Sequence, residues 1–200
     1  MLRLYIICGR IINKLKKILY HKIAIYKLKR AKVIFSNDII FNGKTYLSLS
    51  GTVSIGKNFI CNSTIKYCID HGFTKIVVKE GARLQIGDNC GISNLLLHCY
   101  NNIIIGNYVN IGAGTMIFDT NFHSTDWRKR KSRIEDTSSA KEAPIHIGDN
   151  VFIGTHCIIG KGISIGENSI IAAGSVVVRN VPAGEIWGGN PAIFIKKIEQ

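Results

Sequence analysis

The feature of this 200-residue chain that most constrains its fold is a six-residue repeat in the C-terminal half. An α-helix cannot use this spacing, because six residues rotate a helix by about 600° and successive side chains would then diverge. A short strand followed by a tight turn can use it, since one side chain per strand then points inward. The repeat therefore predicts a solenoid. Its aliphatic positions are Ile147, Ile153, Ile159, Ile165, Ile171 and Val177.

Small residues between the aliphatic positions support this interpretation. Glycine follows each of the first four aliphatic positions, where we expect it to permit turn geometry. Three hexads would make one triangular coil, so Ile147 should stack on Ile165. The corresponding pairs are Ile153 with Ile171 and Ile159 with Val177. The period recurs upstream at Ile105, Ile111 and Ile117, with weaker copies at Ile55 and Ile86.

A polar stretch at residues 118–144 interrupts the repeat. It carries His123 and a run of arginine and lysine, and it ends at Pro144. Insertions in a solenoid leave from one face, often the binding face, so we expect an excursion loop over an active site. The predicted organisation is a basic segment at 1–36, a β-helix domain at 37–187 containing this loop, and a tail at 188–200.

The net charge of +13 is concentrated near the N-terminus, because residues 1–35 hold ten Lys or Arg and no Asp or Glu. The remaining 16 basic and 13 acidic residues nearly balance. No recognition motif accompanies the charge, which argues against nucleic-acid binding.

Residues 10–26 place their apolar side chains on one helical stripe, which predicts a short amphipathic helix. Such a basic helix is suited to an anionic membrane surface, and equally to capping the open end of a solenoid. The two roles are compatible. The apolar run at the start of the chain is too short for a signal peptide or a membrane span. The stripe consists of Ile11, Ile12, Leu15, Ile18, Leu19, Ile23 and Tyr26.

The six cysteines show neither a Cys-x-x-Cys pair nor the spacing of a zinc finger. We therefore expect reduced, mostly buried thiols and a cytoplasmic protein. The cysteines are Cys8, Cys61, Cys68, Cys90, Cys99 and Cys157.

Two stretches resemble a known family. The hexads from Ile145 to the closing Gly189-Asn190-Pro191-Ala192 resemble the C-terminal part of hexapeptide-repeat acetyltransferases. The stretch GISNLLLHCYNNIIIGNYVNIGAGTMIFDTNFHSTD looks like the subgroup that acetylates sugars, which includes maltose, galactoside, capsule and colanic-acid acetyltransferases. The resemblance covers roughly residues 50–198. It implies a left-handed parallel β-helix, a handedness that periodicity alone does not give.

The resemblance also implies a homotrimer with an active site in each cleft between subunits. Acetyl would pass directly from acetyl-CoA to a sugar hydroxyl, with no metal and no acyl-enzyme. The acceptor would belong to bacterial surface-polysaccharide assembly. The basic segment at 1–35, which the resemblance does not cover, would suit a position of this cytoplasmic protein at the inner face of the membrane.

The resemblance assigns roles to individual residues. His123 matches the family's catalytic histidine, and a neutral imidazole is suited to take the hydroxyl proton as general base. Beyond the resemblance, such a base needs a partner on its other ring nitrogen to fix its tautomer: Asp119, four residues earlier in the sequence, is the first candidate and Asp126 the second, with a plain loop carboxylate as the alternative for either. The backbone N–H of Thr155 matches the donor that stabilises the developing oxyanion.

Coenzyme A would run along the solenoid between two subunits. Two departures from the family pattern are Ile193, where relatives carry Lys or Arg, and Phe152, where many carry Trp. Ile193 would weaken coenzyme binding, whereas Phe152 keeps an aromatic ring that could pack on the acceptor sugar or the coenzyme. The positions that match coenzyme contacts are Phe152, Thr155, Ala173, Val178, Arg179 and Lys196.

Three alternatives remain at this point. The same base and coenzyme site would serve an N-acetyltransferase of an amino-sugar nucleotide, and a non-catalytic β-helix scaffold would keep the fold alone. A zinc-dependent β-helix lyase needs a closely spaced histidine pair, which is absent. The other histidines within or beside the repeats are expected to be surface or interface residues: His98, His146 and His156.

Overall fold

The structure is a computed structural model that describes residues 2–64 and 72–199, with side chains of the first helix described from Ile12 onward. Consecutive strands pass to three different parallel sheets, and every third strand returns to the same sheet. This order is that of a three-sided solenoid, as the hexads predict.

The three sheets contain six, eight and six strands. The first sheet consists of β1 (Ile34–Phe35), β4 (Thr52–Ile55), β7 (Arg83–Ile86), β10 (Asn102–Ile105), β13 (Ile145–Ile147) and β16 (Ser164–Ile165). The second consists of β2 (Ile40–Gly43), β5 (Ile60–Ser63), β8 (Gly91–Ser93), β11 (Asn110–Ile111), β14 (Phe152–Ile153), β17 (Ile170–Ile171), β19 (Glu185–Gly189) and β20 (Ala192–Lys197). The third consists of β3 (Thr45–Leu49), β6 (Thr74–Val78), β9 (Leu96–Cys99), β12 (Met116–Phe118), β15 (Ile158–Ile159) and β18 (Val176–Val177).

The predicted stacking of aliphatic residues is confirmed. Ile147 pairs with Ile165, and the other two predicted pairs are Ile153 with Ile171 and Ile159 with Val177. All six side chains are at most 1% exposed. Because one such residue comes from every strand of a coil, the three sheets share a single apolar core along the solenoid axis.

The reason for glycine after two of the aliphatic positions differs from the one expected. Gly154 and Gly166 are not among the residues with positive φ. A Cβ on Gly154 would instead lie 2.5 Å from the backbone N of Ala173, and one on Gly166 would lie 2.4 Å from that of Ala183. At Gly154 and Gly166, glycine is required because adjacent coils approach too closely for a side chain, whereas a Cβ on Gly160 would meet only the Val177 carbonyl oxygen at 3.9 Å. The positive φ falls two residues later, as at His156.

The N-terminal helix α1 (Leu2–Arg30) is longer than the segment at 10–26 that the stripe predicted. Its C-terminal part covers the first coil: Ala24 and Leu28 are buried in the core cluster, and the Phe41 N–H donates to His21 Nδ1 at 3.3 Å. The predicted stripe does not make this contact, because its described members are exposed. No helix in the described ranges has the length and apolar character to cross a membrane.

Two shorter elements complete the fold. The excursion loop contains a 3-10 turn at Lys129–Lys131 followed by helix α2 (Arg133–Ser138). The tail forms an antiparallel hairpin of β19 and β20, in which Gly189 pairs with Ala192 across the Asn190-Pro191 turn. This hairpin extends the second sheet beyond the last hexad.

Four of the six cysteines are buried: Cys61, Cys90, Cys99 and Cys157. Burial raises the pKa of the Cys99 thiol to about 12, with the nearby Asp119 carboxylate acting in the same direction. A thiol with this pKa stays protonated and unreactive at neutral pH. The Cys8 side chain and Cys68 lie outside the described residues.

Candidate active site

The excursion loop holds His123 beside a carboxylate on α2. His123 Nδ1 lies 2.6 Å from Asp136 Oδ2, and the Ser124 N–H donates to Asp136 Oδ1 at 2.7 Å. Asp136 therefore binds both the imidazole ring and the backbone of the next residue. The His123 side chain remains 70% exposed, whereas that of Asp136 is 13% exposed. The pair thus presents the imidazole at the surface while its partner is largely covered.

The chemistry of Asp136 fixes which imidazole nitrogen is available. Its hydrogen bond with His123, together with the one from Ser124, lowers the pKa of the Asp136 carboxyl. An ionised carboxylate only accepts hydrogen bonds, so Nδ1 of a neutral His123 must carry the proton and donate. The lone pair of Nε2 is then free to accept a proton from a substrate.

Asp119 does not hold the position expected for it. Its carboxylate is buried and accepts hydrogen bonds from the N–H groups of Tyr100 at 2.7 Å and Asn101 at 2.8 Å. Its backbone carbonyl accepts from the Ala143 N–H at 3.0 Å. Asp119 therefore fastens both ends of the loop to the preceding coil, and Asp136 is the carboxylate beside His123.

The second candidate, Asp126, is also engaged elsewhere. It forms a bidentate ion pair with Arg128, in which Nε donates to Oδ1 at 3.0 Å and Nη2 donates to Oδ2 at 2.9 Å. The guanidinium of Arg128 lowers the pKa of the Asp126 carboxyl. The pair stabilises the turn that precedes α2 and makes no contact with His123 among the described hydrogen bonds.

An aromatic cluster supports the backbone of His123. Phe122 has a φ of +60°, which bulky residues rarely adopt. Its ring lies 5.4 Å from that of His98, 5.7 Å from Tyr100 and 5.6 Å from Phe118. Packing of this ring offsets the cost of the unusual backbone and directs the next residue outward. Burial lowers the pKa of His98, so this ring is neutral within the cluster at pH 7.

Thr155 lies at the corner between the second and third sheets, after β14. Its N–H makes no hydrogen bond within the described part of the chain, while its carbonyl accepts from Gly174 at 2.8 Å. The N–H groups of Ala113 and Ala173, one coil to either side, are likewise without an acceptor among the described residues. The corner therefore presents a row of amide donors, of which Thr155 is the middle one.

The remaining predicted coenzyme residues are spread over three parts of the surface. Exposed Ala173 shares the corner of Thr155, whereas Val178 and Arg179 follow β18 at the corner from which the excursion loop also leaves. Phe152 is 49% exposed on the second sheet, and Lys196 pairs with Ile186 in the tail hairpin. Ile193, the departure after the Asn190-Pro191 turn, is exposed on the same hairpin. One protomer does not gather these residues into a single pocket.

A large groove has none of the predicted site residues in its lining, although it includes Asn180, the neighbour of Arg179. It has a volume of about 580 Å³ and follows the first sheet and its corner with the second, with His146, Ser164 and Glu167 in its lining. His146 thus lies on a different face from His123, and His156 is an exposed corner residue with positive φ. Across residues 2–64 and 72–199, no three His, Cys, Asp or Glu side chains form a group that could hold a metal ion.

Asp136 was missed by the sequence analysis, although one local signal was present. Ser132 and Glu135 match the Ser-x-x-Glu pattern of a helix N-terminus, and the Ser132 side chain accepts from the Glu135 N–H at 3.4 Å. This pattern would have predicted α2 and placed Asp136 in its first turn. The contact with His123 spans thirteen residues and depends on how the loop folds back, which no local pattern shows.

Known proteins resemble the chain over its repeat region. A family model described as the hexapeptide repeat of succinyl-transferase matches residues 144–179. A Saccharomyces cerevisiae protein named as an acetyltransferase is 38% identical over 121 residues, 60% of this chain and 59% of that protein. Escherichia coli galactoside O-acetyltransferase is 32% identical over 122 residues, 60% of each chain. The chain thus spans about 60% of the length of these curated relatives.

Solved structures extend the likeness to the fold. A hexapeptide-repeat acetyltransferase from Vibrio cholerae superposes with a TM-score of 0.57 at 30% identity, covering 73% of this chain and 74% of that one. AntD, an N-acyltransferase from Bacillus cereus, gives a TM-score of 0.68 over 87% of this chain and 88% of its own, but at 19% identity it shows the fold alone. The predicted left-handed parallel β-helix with an N-terminal helix is confirmed. Its coils, its repeat and its likeness to the Vibrio cholerae enzyme show that the chain belongs to the hexapeptide-repeat acetyltransferases.

Proposed function

We propose that this protein transfers an acetyl group from acetyl-CoA to a hydroxyl group of a saccharide. The observation that carries the proposal is the exposed imidazole of His123, held through Nδ1 by Asp136 at 2.6 Å with Nε2 left free. A sugar hydroxyl is a weak nucleophile at neutral pH, because its proton must leave as it attacks. A positioned base that accepts this proton accelerates such reactions by about 10²–10⁴-fold.

The proposed reaction proceeds in one covalent exchange. The hydroxyl oxygen attacks the thioester carbonyl while its proton moves to His123 Nε2. Negative charge then develops on the carbonyl oxygen, where the Thr155 N–H would donate a hydrogen bond. The C–S bond breaks as the carbonyl reforms, and the proton on Nε2 passes to the coenzyme sulfur. The products are an acetyl ester and free coenzyme A, and Asp136 stabilises the transient imidazolium throughout.

The donor and the trimer belong to the same proposal. The Vibrio cholerae relative has been solved in complex with acetyl coenzyme A, and galactoside O-acetyltransferase is named for its sugar substrate. The dispersal of Phe152, Ala173, Arg179 and Lys196 over separate faces supports a site assembled between subunits. In a homotrimer, the loop of one protomer would meet the predicted coenzyme-contact positions of its neighbour. Arg179 and Lys196 suit the coenzyme phosphates.

The proposed biological role is acetylation during assembly of a bacterial surface polysaccharide. The subgroup resemblance supports this role, together with ten basic and no acidic residues in 1–35, which suit a position at the inner face of a membrane. A protein placed there would reach saccharides that are built on lipid carriers.

The test is release of free thiol from acetyl-CoA by the purified protein, with and without saccharide acceptors. The expected result is acceptor-dependent release and a product that mild alkali hydrolyses, as an ester does. An alkali-stable product would identify an amide and favour an amino-sugar acceptor instead. Failure to bind acetyl-CoA at all would contradict the proposal and leave a scaffold that keeps only the fold.

A further inference from the structure

Helix α1 has two apolar faces, of which the solenoid covers one. Ala24 and Leu28 are buried against the first coil. At about 100° per residue, the exposed apolar side chains fall within an arc of about 140° on the opposite side of the helix. These exposed residues, each 40% to 63% accessible, are Ile12, Leu15, Ile18, Leu19, Ile23 and Tyr26. The stripe seen in the sequence is therefore a free surface of the described protein rather than the surface that caps the solenoid.

The charge around this stripe has a single sign. The exposed cations on the helix include Lys14, Lys16 and Lys22, and the first acidic residue of the chain is Asp38. A second copy of the helix would bring lysines against lysines with no carboxylate to offset them, which disfavours self-association. An anionic surface offers the opposite charge. A nucleic acid offers that charge too, but it would leave six large apolar side chains in water.

A groove at the end of the helix adds a second observation. It has a volume of about 340 Å³ and lies between α1 and β3, with Lys27 and Arg30 on its helix side and Leu47 and Leu49 on its strand side. Lys27 and Lys75 both lie near the Tyr46 ring, at 6.0 and 5.6 Å from its centroid. Cations beside leucine side chains suit a phosphate group joined to a hydrocarbon chain.

We propose that the free face of α1 and this groove form a docking surface for an anionic phospholipid bilayer. The apolar stripe enters the interface between headgroups and acyl chains, and the lysines lie at the level of the phosphates. Lys27 and Arg30 bind a lipid phosphate at the groove. Membrane docking does not depend on acetyl transfer. Its purpose, to bring a lipid-linked saccharide to the loop that carries His123, rests on the proposed function.

The test is co-sedimentation of the full-length protein with phosphatidylcholine vesicles, with and without phosphatidylglycerol, in the absence of acetyl-CoA. We expect binding that requires phosphatidylglycerol and weakens as salt is raised, because salt screens the attraction. Equal binding to both vesicles, or none to either, would overturn the proposal. Thiol release is not measured here, so the outcome is independent of whether the protein transfers acetyl.

Two double variants separate the parts of the surface. Leu15→Glu with Leu19→Glu removes apolar contact, and we expect at least tenfold weaker binding than for Ile134→Glu, which changes an exposed apolar residue on the loop. Lys27→Glu with Arg30→Glu should weaken binding about tenfold or more, since two cations near an anionic surface are replaced by anions. The matched control, Lys57→Glu with Arg83→Glu, makes the same charge change on the solenoid. Equal loss in control and test variants would refute the groove, and a changed oligomeric state in the leucine variant would favour helix pairing.

Discussion

The coils and the excursion loop of this protein are held by different interactions. In the coils, a buried aliphatic residue recurs every six positions, and backbone hydrogen bonds such as Gly154 N–H to the Ile171 carbonyl, at 2.8 Å, join each coil to the next. In the loop, the decisive contacts involve side chains, with Asp119 at the base and Asp136 at the outer end. The difference places the regular, buried packing in the coils and the exposed His123, the proposed base, in the loop.

At its base, the loop is anchored by backbone pairing between its two ends. Thr120 bridges to Glu142, and the Asn121 N–H donates to the Lys141 carbonyl at 3.0 Å, so the two ends lie side by side. Beyond this base most of the loop is exposed, with Ser124 as a buried exception, and no residue of the 3-10 turn or α2 is buried. Hydrogen bonds from His123 and Ser124 to Asp136 hold its outer part, which leaves His123 both placed and accessible.

Removing a coil side chain should have the largest effect on stability. Ile159→Ala leaves a cavity in the core, where Ile159 is 0% exposed and stacks between Ile117 and Val177. We expect the free energy of unfolding to fall by about 2–5 kcal/mol, measured by denaturant titration. Ile134→Ala, at an 80% exposed loop position, is the control and should change it by less than about 0.5 kcal/mol. Similar losses of unfolding free energy at both positions would contradict the view that the coils, and not the loop, supply the stability.

Changing Asp136 should affect the rate and leave the fold intact. In Asp136→Asn, the amide N–H₂ can donate to Nδ1 of His123, which moves the imidazole proton to Nε2 and blocks the base. We expect kcat/KM to fall by about 10²-fold or more, as wrong-tautomer variants do elsewhere. Asp136→Ala, which removes the partner without imposing that tautomer, should lose less.

The order of these two variants is the diagnostic result. A rate for Asp136→Asn well below that for Asp136→Ala, with an unchanged melting temperature, indicates control of the tautomer. If Asp136→Asn is faster than Asp136→Ala, position 136 only holds the imidazole in place and does not set its tautomer. The proposed proton transfer to Nε2 then loses its support. Asp136→Glu gives a further check, because a carboxylate that still reaches Nδ1 should recover part of the rate.

Asp119→Asn should lower stability more than rate, the reverse of what we expect for Asp136→Asn. Its amide cannot accept both N–H bonds from Tyr100 and Asn101, and a buried donor left without an acceptor costs about 1–3 kcal/mol. We expect a lower melting temperature and a rate loss well below that of Asp136→Asn. A large loss of kcat with full stability would instead restore the role that the sequence assigned to Asp119.

The sequence was sufficient for the coil and insufficient for the loop, for a physical reason. Stacking of Ile147 on Ile165 follows from period alone, because every coil repeats the same local geometry. The partner of His123 depends on a contact between residues 123 and 136 that occurs once, and Asp119 was chosen because it was near in sequence. At Gly154 and Gly166, the pattern predicts glycine for its turn geometry, but the structure requires it because adjacent coils lie too close for a side chain, which is a property of packing.

Helix α1 shows an intermediate case. Its periodicity correctly predicted a helix and an apolar stripe, but not which face would meet the solenoid. The docked face relies on Ala24, Leu28 and His21, whose small number and mixed polarity give little signal in the sequence. The face of the helix that packs on the solenoid is determined by the folded first coil, whose Phe41 N–H donates to His21.

The most direct test of the central claim is a paired measurement on His123→Ala of thiol release from acetyl-CoA and of thermal unfolding. The claim is that the exposed loop supplies the base and the buried coils supply the stability. It predicts a loss of about 10²–10⁴-fold in acceptor-dependent turnover with an unchanged melting temperature. Turnover within tenfold of the wild type would contradict it, because a positioned general base cannot be removed at so small a cost.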